Sequence, residues 1–220
     1  MLKGTVALVI GRTLPALAAC MFSALLVYVE LIVRGQCGEG GFVEYMQAII
    51  LLVVALLCAI LAKRRTDLRG GMTLAFGLFA TMFIRENDQL LDNVFHGFWI
   101  IPALAAFVVS VVIAWRAKET ILPSIRKVCE SVYYPLFAVG FFVTVVFSRI
   151  FGMKAIWMIA VGHDDYRQAK HVAEEGCELL GYSMMLLWAI LFVRSILRER
   201  CEQGETTLGA RPSGTDASVS

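Results

Sequence analysis

The chain has 220 residues, of which 59% are hydrophobic and 17% are charged, and its mean hydropathy is +0.73. A soluble domain is about half apolar and about a quarter charged, so this composition excludes an ordinary soluble domain and indicates a membrane protein. The formal net charge is only +2, and no basic cluster interleaved with aromatic residues suggests nucleic acid as a partner. The partner that the composition does predict is the lipid bilayer.

Six apolar stretches follow one another along the chain, each about 20 residues long, which is the length of a helix that crosses a hydrocarbon core. The alternating pattern of a β-barrel is absent, so the stretches predict helices. The expected fold class is all-α, a polytopic membrane helix bundle that forms one domain over residues 1–200. Residues 201–220 are rich in Ser, Thr, Gly and Glu, which predicts a disordered cytoplasmic tail. The predicted spans are 13–33, 42–62, 71–91, 95–115, 131–151 and 178–198.

The charged residues are divided unequally between the two ends of these spans. One side receives 14 of the 20 Lys and Arg residues and seven of the 18 acids. The other side receives the remaining six Lys and Arg residues and 11 acids. Loops rich in Lys and Arg remain in the cytoplasm, so we expect both termini to be cytoplasmic and the acidic side to face outward. This arrangement is typical of a multi-pass protein of the bacterial inner (plasma) membrane.

The third span ends in a polar segment, residues 85–89. A carboxylate at membrane depth is costly and is therefore a candidate for function, which makes Glu86 and Asp88 candidate catalytic residues and Glu86 a candidate metal ligand. Two interpretations stay open: an Arg85–Asp88 ion pair that fixes helix packing, or a polar cavity that opens outward. His96, in the following connection, is a further candidate metal ligand.

The last span begins with a stripe of polar side chains. Glu175, Glu178 and Tyr182 follow His171 by four, seven and 11 residues, which places all of them on one helical face. A histidine and two carboxylates on one face can bind a divalent metal or transfer protons, so His171, Glu175 and Glu178 are candidate ligands and the two acids are candidate catalytic residues. Acids in the first turns of a helix also simply complement its dipole.

Other charged residues near the outer side could support such a site. Arg149 is a plausible counter-ion for one of the acids, as is Arg85, and Glu44 shares a helical face with Gln47 at the start of the second span. Because an unpaired buried carboxylate is costly, we expect Glu86, Glu175 and Glu178 to meet in one outward-facing pocket with an arginine as counter-charge. For Glu30 and Glu44, extension of the side chain to water is the favoured interpretation.

Two cysteines are predicted on the outer side, Cys37 and Cys177. A disulfide between them could persist there, and two free thiols are the alternative that the sequence leaves open.

Three short motifs carry a resemblance to known proteins. They are Glu44-Tyr45-x-Gln47, Arg85-Glu86-x-Asp88 and Glu174-Glu175-Gly176-x-Glu178-Leu179-x-Gly181. The pattern resembles one found in uncharacterised polytopic inner-membrane proteins of bacteria, which implies an inner-membrane protein and no known activity. The chain is also superficially similar to the ceramidase and progestin-receptor-like hydrolase superfamily, whose seven-span members carry a zinc site. The late His-x-x-x-His of that superfamily is missing here, which removes two expected ligands.

Three functions stay open on these observations, and with them the question of whether the chain is an enzyme. The first, favoured by a small margin, is a non-catalytic membrane protein whose polar groups serve packing and assembly. The second is a membrane-embedded hydrolase that uses a divalent metal to act on a lipid or lipid-linked substrate. The third is a proton- or cation-coupled carrier. A homo-oligomer or a membrane partner is compatible with each of them.

The charge division predicts a topology that reporter fusions can check. Reporters fused after Arg69 and Arg126 are expected to be cytoplasmic, because both follow loops rich in Lys and Arg. Reporters fused at Gly38 and His163 are expected to be exterior. A cytoplasmic reporter signal at Gly38 would contradict this topology.

Overall fold

A computed structural model describes residues 2–38, 40–162 and 166–209, with the side chains of residues 11, 13–38, 40–162 and 166–199. Within these ranges every regular element is a helix, so the all-α fold class is confirmed. Four helices are long and apolar enough to cross a membrane, and a fifth crossing is present if two helices that meet at 92° form one span.

The helices follow one another with short connections. Two 3-10 turns, Thr66–Leu68 and Lys118–Thr120, precede α3 and α6, and a π-helical turn, Val143–Phe147, joins α7 to α8. The α-helices are α1 (Leu2–Arg34), α2 (Phe42–Arg64), α3 (Arg69–Glu86), α4 (Asp88–Leu91), α5 (Ile100–Trp115), α6 (Ile121–Glu130), α7 (Tyr134–Phe142), α8 (Ser148–Phe151), α9 (Lys154–Val161) and α10 (Tyr166–Gly209).

Several helix ends differ from the predicted spans. Helix α3 ends at Glu86, so the span predicted at 71–91 extends too far at its end. Helix α5 begins at Ile100, so the span predicted at 95–115 begins too early. The polar segment after Glu86 forms the short α4, and Gly97 turns the chain with a φ of 84°, a conformation that favours glycine.

The last helix is much longer than its predicted span. Helix α10 begins at Tyr166, so residues 166–177, which precede the predicted span 178–198, form its first turns. It continues to Gly209, into the stretch predicted as a disordered tail, and residues 210–220 of that tail lie outside the described part of the chain.

Helix α3 lies inside the bundle and differs in composition from the four longest apolar helices. It carries Arg69, Arg85 and Glu86 at its ends, and it packs against α2, α5 and α6. Two of its glycines make these contacts close: an added Cβ on Gly71 would collide with Ser124 of α6, and one on Gly77 would collide with Ser110 of α5. Small residues allow helix backbones to approach closely where lipid gives no hydrophobic driving force.

Helix α10 occupies the centre of the bundle, against α1, α2 and α7. Its residues Tyr182, Met185 and Phe192 are almost completely buried, together with Phe79 of α3. Aromatic rings join these helices, since the Trp188 ring lies 4.8 Å from the Phe137 ring and 6.4 Å from the Phe79 ring between centroids. The apolar side chains of α1 and α5 are mostly exposed, as expected for helices that face lipid.

Helices α7 and α10 touch through backbone at Gly140 and Gly181. A Cβ added to either glycine would lie 2.6 Å from the carbonyl oxygen of the other, closer than packed atoms tolerate. This contact sets the distance between α7, which leads into the π-helical turn, and α10.

Substitution of Gly181 by Ala is therefore expected to destabilise the bundle by about 1–3 kcal/mol, the usual cost of overpacking. Gly176→Ala on the same helix is the matched control, because its added Cβ would lie 3.8 Å from Val27 Cγ2, an ordinary contact. The control should be neutral or stabilising, since alanine favours a helix over glycine by up to about 1 kcal/mol. Thermal unfolding in detergent measures the stability of both variants. Equal midpoints for Gly181→Ala and Gly176→Ala would contradict the close contact between α7 and α10.

Candidate functional site

The predicted outer end of the bundle contains a polar pocket of about 180 Å³, formed where α2, α3, α8 and α10 meet. Its lining includes Glu86, Glu175 and Glu178 together with Arg85 and Arg149, so the predicted convergence of these acids with an arginine is confirmed. The full lining consists of Gly38, Glu44, Arg85, Glu86, Asp88, Gln89, Arg149, His171, Glu174, Glu175 and Glu178.

The polar stripe of α10 supplies one wall of this pocket. His171, Glu175 and Glu178 line it, and Tyr182 lies one turn deeper, where it is completely buried. The stripe reaches the pocket because α10 begins at Tyr166, which makes all of these residues part of one continuous helix. The prediction that they share a face is confirmed.

Glu178 takes part in an ion pair between α8 and α10. Its carboxylate contacts Arg149 Nη2 directly and lies 3.2 Å from the Ser148 hydroxyl. Arg149 Nη1 also lies 3.3 Å from Glu174 Oε1, and Lys170 Nζ lies 3.3 Å from the other oxygen of Glu174. The prediction of Arg149 as a counter-ion is confirmed, and the charges of Glu174 and Glu178 are balanced by these two cations.

The π-helical turn Val143–Phe147 places Ser148 and Arg149 at the pocket. Such turns add a residue to a helix and occur frequently at functional sites. The Ser148 hydroxyl has two acceptors within reach, the Thr144 carbonyl oxygen at 2.5 Å and Glu178 Oε1 at 3.2 Å. Sequence analysis missed Ser148, although its signal was a serine directly before an arginine in an apolar run.

Glu86 is held by the deepest residue of the stripe. The Tyr182 hydroxyl donates to Glu86 Oε1 at 2.6 Å, and Arg85 Nη1 lies 3.9 Å from the same oxygen. The ion pair of Arg85 is thus with Glu86, so of the two interpretations left open, the structure favours the polar cavity over the Arg85–Asp88 pair. The reason is geometric: Asn87 interrupts the helix, so Asp88 belongs to α4 and does not lie one turn above Arg85.

The carboxylate of Glu175 accepts a hydrogen bond from a side-chain amide. Gln47 of α2 is completely buried, and its Nε2 donates to Glu175 Oε2 at 3.0 Å and to the Glu175 carbonyl oxygen at 3.2 Å. The other polar atom of this amide, Gln47 Oε1, is buried without a hydrogen-bonding partner. Sequence analysis placed Gln47 beside Glu44 and missed its contact with α10, since only the fold brings α2 to that helix.

Glu30 and Glu44 both serve the start of α2. The Glu30 side chain is fully buried, accepts from the backbone N–H of Val43 at 2.7 Å and pairs with Arg34 at 3.4 Å. The expectation that Glu30 extends to water is therefore wrong: the carboxylate binds an N–H group that the helix start leaves without a partner. Glu44 lines the pocket and accepts from the backbone N–H of Gly40 at 2.7 Å.

The candidate metal ligands do not all come together. His96 is fully exposed on the connection before α5 and lies 3.3 Å from Asp92, away from the pocket that contains His171, Glu86, Glu175 and Glu178. Among the described side chains, no group of three His, Cys, Asp or Glu residues is arranged to hold a metal ion. A divalent metal at this site stays a prediction.

Cys37 and Cys177 are both free thiols, which answers the question that the sequence left open. The Cys37 thiol is buried and lies 3.9 Å from the Val27 carbonyl oxygen. Burial, with a smaller contribution from the negative charges of Glu30 and Glu175, raises the pKa of Cys37 to about 11. The Cys37 thiol is therefore neutral at physiological pH.

Comparison with known proteins adds no assignment, since no family model, curated protein or solved structure matches the chain. The function must therefore be inferred from the chemistry of the pocket. Its described lining contains six carboxylates against two arginines and one histidine. The pocket consequently presents an excess of negative charge.

The ion pair of Glu178 can be tested by a double-mutant cycle. Glu178→Gln is expected to lower the free energy of unfolding by about 1–2 kcal/mol, because it leaves Arg149 without its nearest carboxylate. This is less than the roughly 3–5 kcal/mol of a fully buried pair, since the Arg149 side chain is 46% exposed. Glu175→Gln should cost less, because its partner is an uncharged amide.

Unfolding measurements on Glu178→Gln, Arg149→Gln and the double variant complete this cycle. The double variant should be destabilised by clearly less than the sum of the two single variants, which isolates the interaction energy of the pair. Additive effects would show that Arg149 and Glu178 do not interact in the folded protein.

Proposed function

We propose that this chain is a multi-pass protein of the bacterial inner membrane with six crossings and both termini in the cytoplasm. The crossings are α1, α2, α3, α5, the α7–α8 segment and α10. Helix α3 counts as a crossing because its 18 residues span about 27 Å at about 1.5 Å per residue, close to the roughly 30 Å of a hydrocarbon core. The division of Lys and Arg between the two sides supports the orientation.

We further propose that the acidic pocket binds a small ammonium-type cation from the outer side of the membrane. The observation that carries this proposal is the environment of Glu175. Its carboxylate lines the pocket and accepts from the Gln47 amide, whereas Glu174 and Glu178 are paired with Arg149 and Lys170. A carboxylate in a confined site without a paired cation attracts positive charge from the solution.

An ammonium group fits the acceptors around Glu175 better than an anion or a neutral molecule does. Glu44, Glu86 and Glu175 all line this pocket and bring carboxylate oxygens to it. An ammonium ion carries several N–H donors and no acceptor. It would therefore satisfy these oxygens and balance their charge together.

A proton- or cation-coupled carrier is the second candidate function. The observation that favours it is the π-helical turn Val143–Phe147, which interrupts a crossing directly below Arg149. Interrupted helices near ion and substrate sites are typical of carriers, and π-helical turns are frequent at functional sites. The metal-dependent hydrolase stays a prediction from the sequence.

Cation binding can be measured by thermal unfolding of the detergent-purified protein in methylammonium chloride, with sodium chloride at equal ionic strength as reference. Saturating methylammonium is expected to raise the midpoint of the wild-type protein by roughly 3–6 °C. Glu175→Gln should remove this increase while leaving the midpoint in sodium chloride almost unchanged, because the neutral amide keeps the shape of the side chain but not its charge.

Glu119→Gln is the matched control, since Glu119 is an exposed acid of the 3-10 turn before α6 and does not line the pocket. It should respond to methylammonium as the wild-type protein does. Stabilisation by magnesium chloride alone would overturn the ammonium proposal in favour of a metal site. Absence of any cation effect would favour the purely structural role of the acids.

A further inference from the structure

A second cleft lies at the opposite end of the bundle, near the other end of α10. It has a volume of about 890 Å³ and lies between α6, the connection 131–133 with the start of α7, and α10, with Gly11 of α1 at its edge. A neighbouring hollow of about 360 Å³ shares Tyr133, Leu191, Ser195 and Glu199 with it. The two hollows therefore form one continuous surface feature, which we call the basic cleft.

The walls of the basic cleft are apolar and its rim is positively charged. Leu136, Leu191 and Phe192 belong to its walls. Within the part of the chain whose side chains are described, four cations line it: Arg126 and Lys127 of α6, and Arg194 and Arg198 of α10.

Two of these four cations already have carboxylate partners. Arg126 lies 2.7 Å from Glu130, and Lys127 lies 2.6 Å from Glu199 of α10. Arg194 and Arg198 are exposed, and neither has an ion-pair partner among the described side chains. Over these described residues, the two acids of the rim therefore leave an excess of two positive charges, located on one face of α10.

Helix α6 places the basic cleft at the surface of the membrane. It meets α5 at 92°, so it runs across the bundle end and does not continue the crossing. Its Leu122 and Ile125 side chains are exposed, as is Val132 after it, while Arg126 lies on the same short helix. A helix with an exposed apolar face and basic residues lies in the interface between acyl chains and headgroups.

We propose that the basic cleft binds an anionic phospholipid. Its phosphodiester would contact Arg194 and Arg198, whose guanidinium groups match phosphate oxygens in a bidentate way. An acyl chain would cover the apolar wall at Leu136 and Leu191, whose side chains are only partly buried. Basic pockets between helices on one side of a membrane bind acidic headgroups in this manner.

The combination of wall and rim favours a lipid over a free phosphate ion. Inorganic phosphate would contact the arginines alone and leave the apolar wall exposed, whereas a phospholipid satisfies both at once. The proposal is independent of the outer pocket, because the residues that line the two sites do not overlap.

The test compares thermal unfolding of the full chain in neutral detergent with added phosphatidylglycerol, phosphatidylcholine or inorganic phosphate. Phosphatidylglycerol is expected to raise the midpoint of the wild-type protein by roughly 5 °C at saturation, and the other two additives should not. The variant Arg194→Gln/Arg198→Gln should lose most of this increase. The charge-conserving variant Arg194→Lys/Arg198→Lys should keep part of it, which separates lost charge from a damaged fold.

Arg116→Gln/Lys118→Gln is the matched control, because both residues are exposed cations at the corner between α5 and α6 and do not line the basic cleft. Its response to phosphatidylglycerol should equal that of the wild-type protein. Two outcomes would overturn the proposal. One is that phosphatidylglycerol stabilises the Arg194→Gln/Arg198→Gln variant as much as the wild-type protein. The other is that the Arg116→Gln/Lys118→Gln control loses as much of the stabilisation as that variant does. Stabilisation by inorganic phosphate alone would also overturn the proposal and would indicate a simple anion site.

Discussion

The ion pair between Arg149 and Glu178 is the interaction on which the half of the molecule around the acidic pocket depends. Glu178 is almost completely buried, and a buried carboxylate without a partner is costly. Arg149 comes from α8 and Glu178 from α10, so the balance of charge fixes these two elements against each other. The same guanidinium reaches Glu174, which leaves Glu175, on the same helix, with a neutral partner.

Helix α10 links this charged end to the rest of the bundle. From the polar stripe it continues through Gly181, where the α7 backbone approaches, to the aromatic contacts around Trp188 and then to Arg194 and Arg198. One helix therefore contributes to the acidic pocket, the core and the basic cleft. A displacement of α10 against α7 would alter both ends, because the close glycine contact lies between them.

The two ends of the bundle differ in the sign of their charge and in how that charge is used. At the acidic pocket, carboxylates exceed cations in a small volume of about 180 Å³. At the basic cleft, arginines lie on a rim above an apolar wall. Excess negative charge in a small pocket attracts small cations, whereas basic residues beside an apolar surface attract anionic amphiphiles, so the ligands proposed for the two sites differ.

Much of this protein was predictable from the sequence alone. Apolar stretches of about 20 residues determine helices in lipid, since the backbone has no other way to satisfy its polar groups. The spacing of His171, Glu175, Glu178 and Tyr182 determined a shared face, because helical periodicity is local. Helix ends were less predictable, as α3 and α5 show, because polar residues such as Asn87 and turns such as that at Gly97 shift them.

Only the tertiary structure decided which residues are partners across helices. The sequence offered Arg85 and Arg149 as counter-ions and could not choose between them, because the choice depends on the π-helical turn that aims Arg149 at Glu178. It gave no sign that Gln47 would contact Glu175 or that Glu30 would bind the start of α2. These contacts join residues of different elements, and they depend on which helices become neighbours in the bundle, which no local pattern encodes.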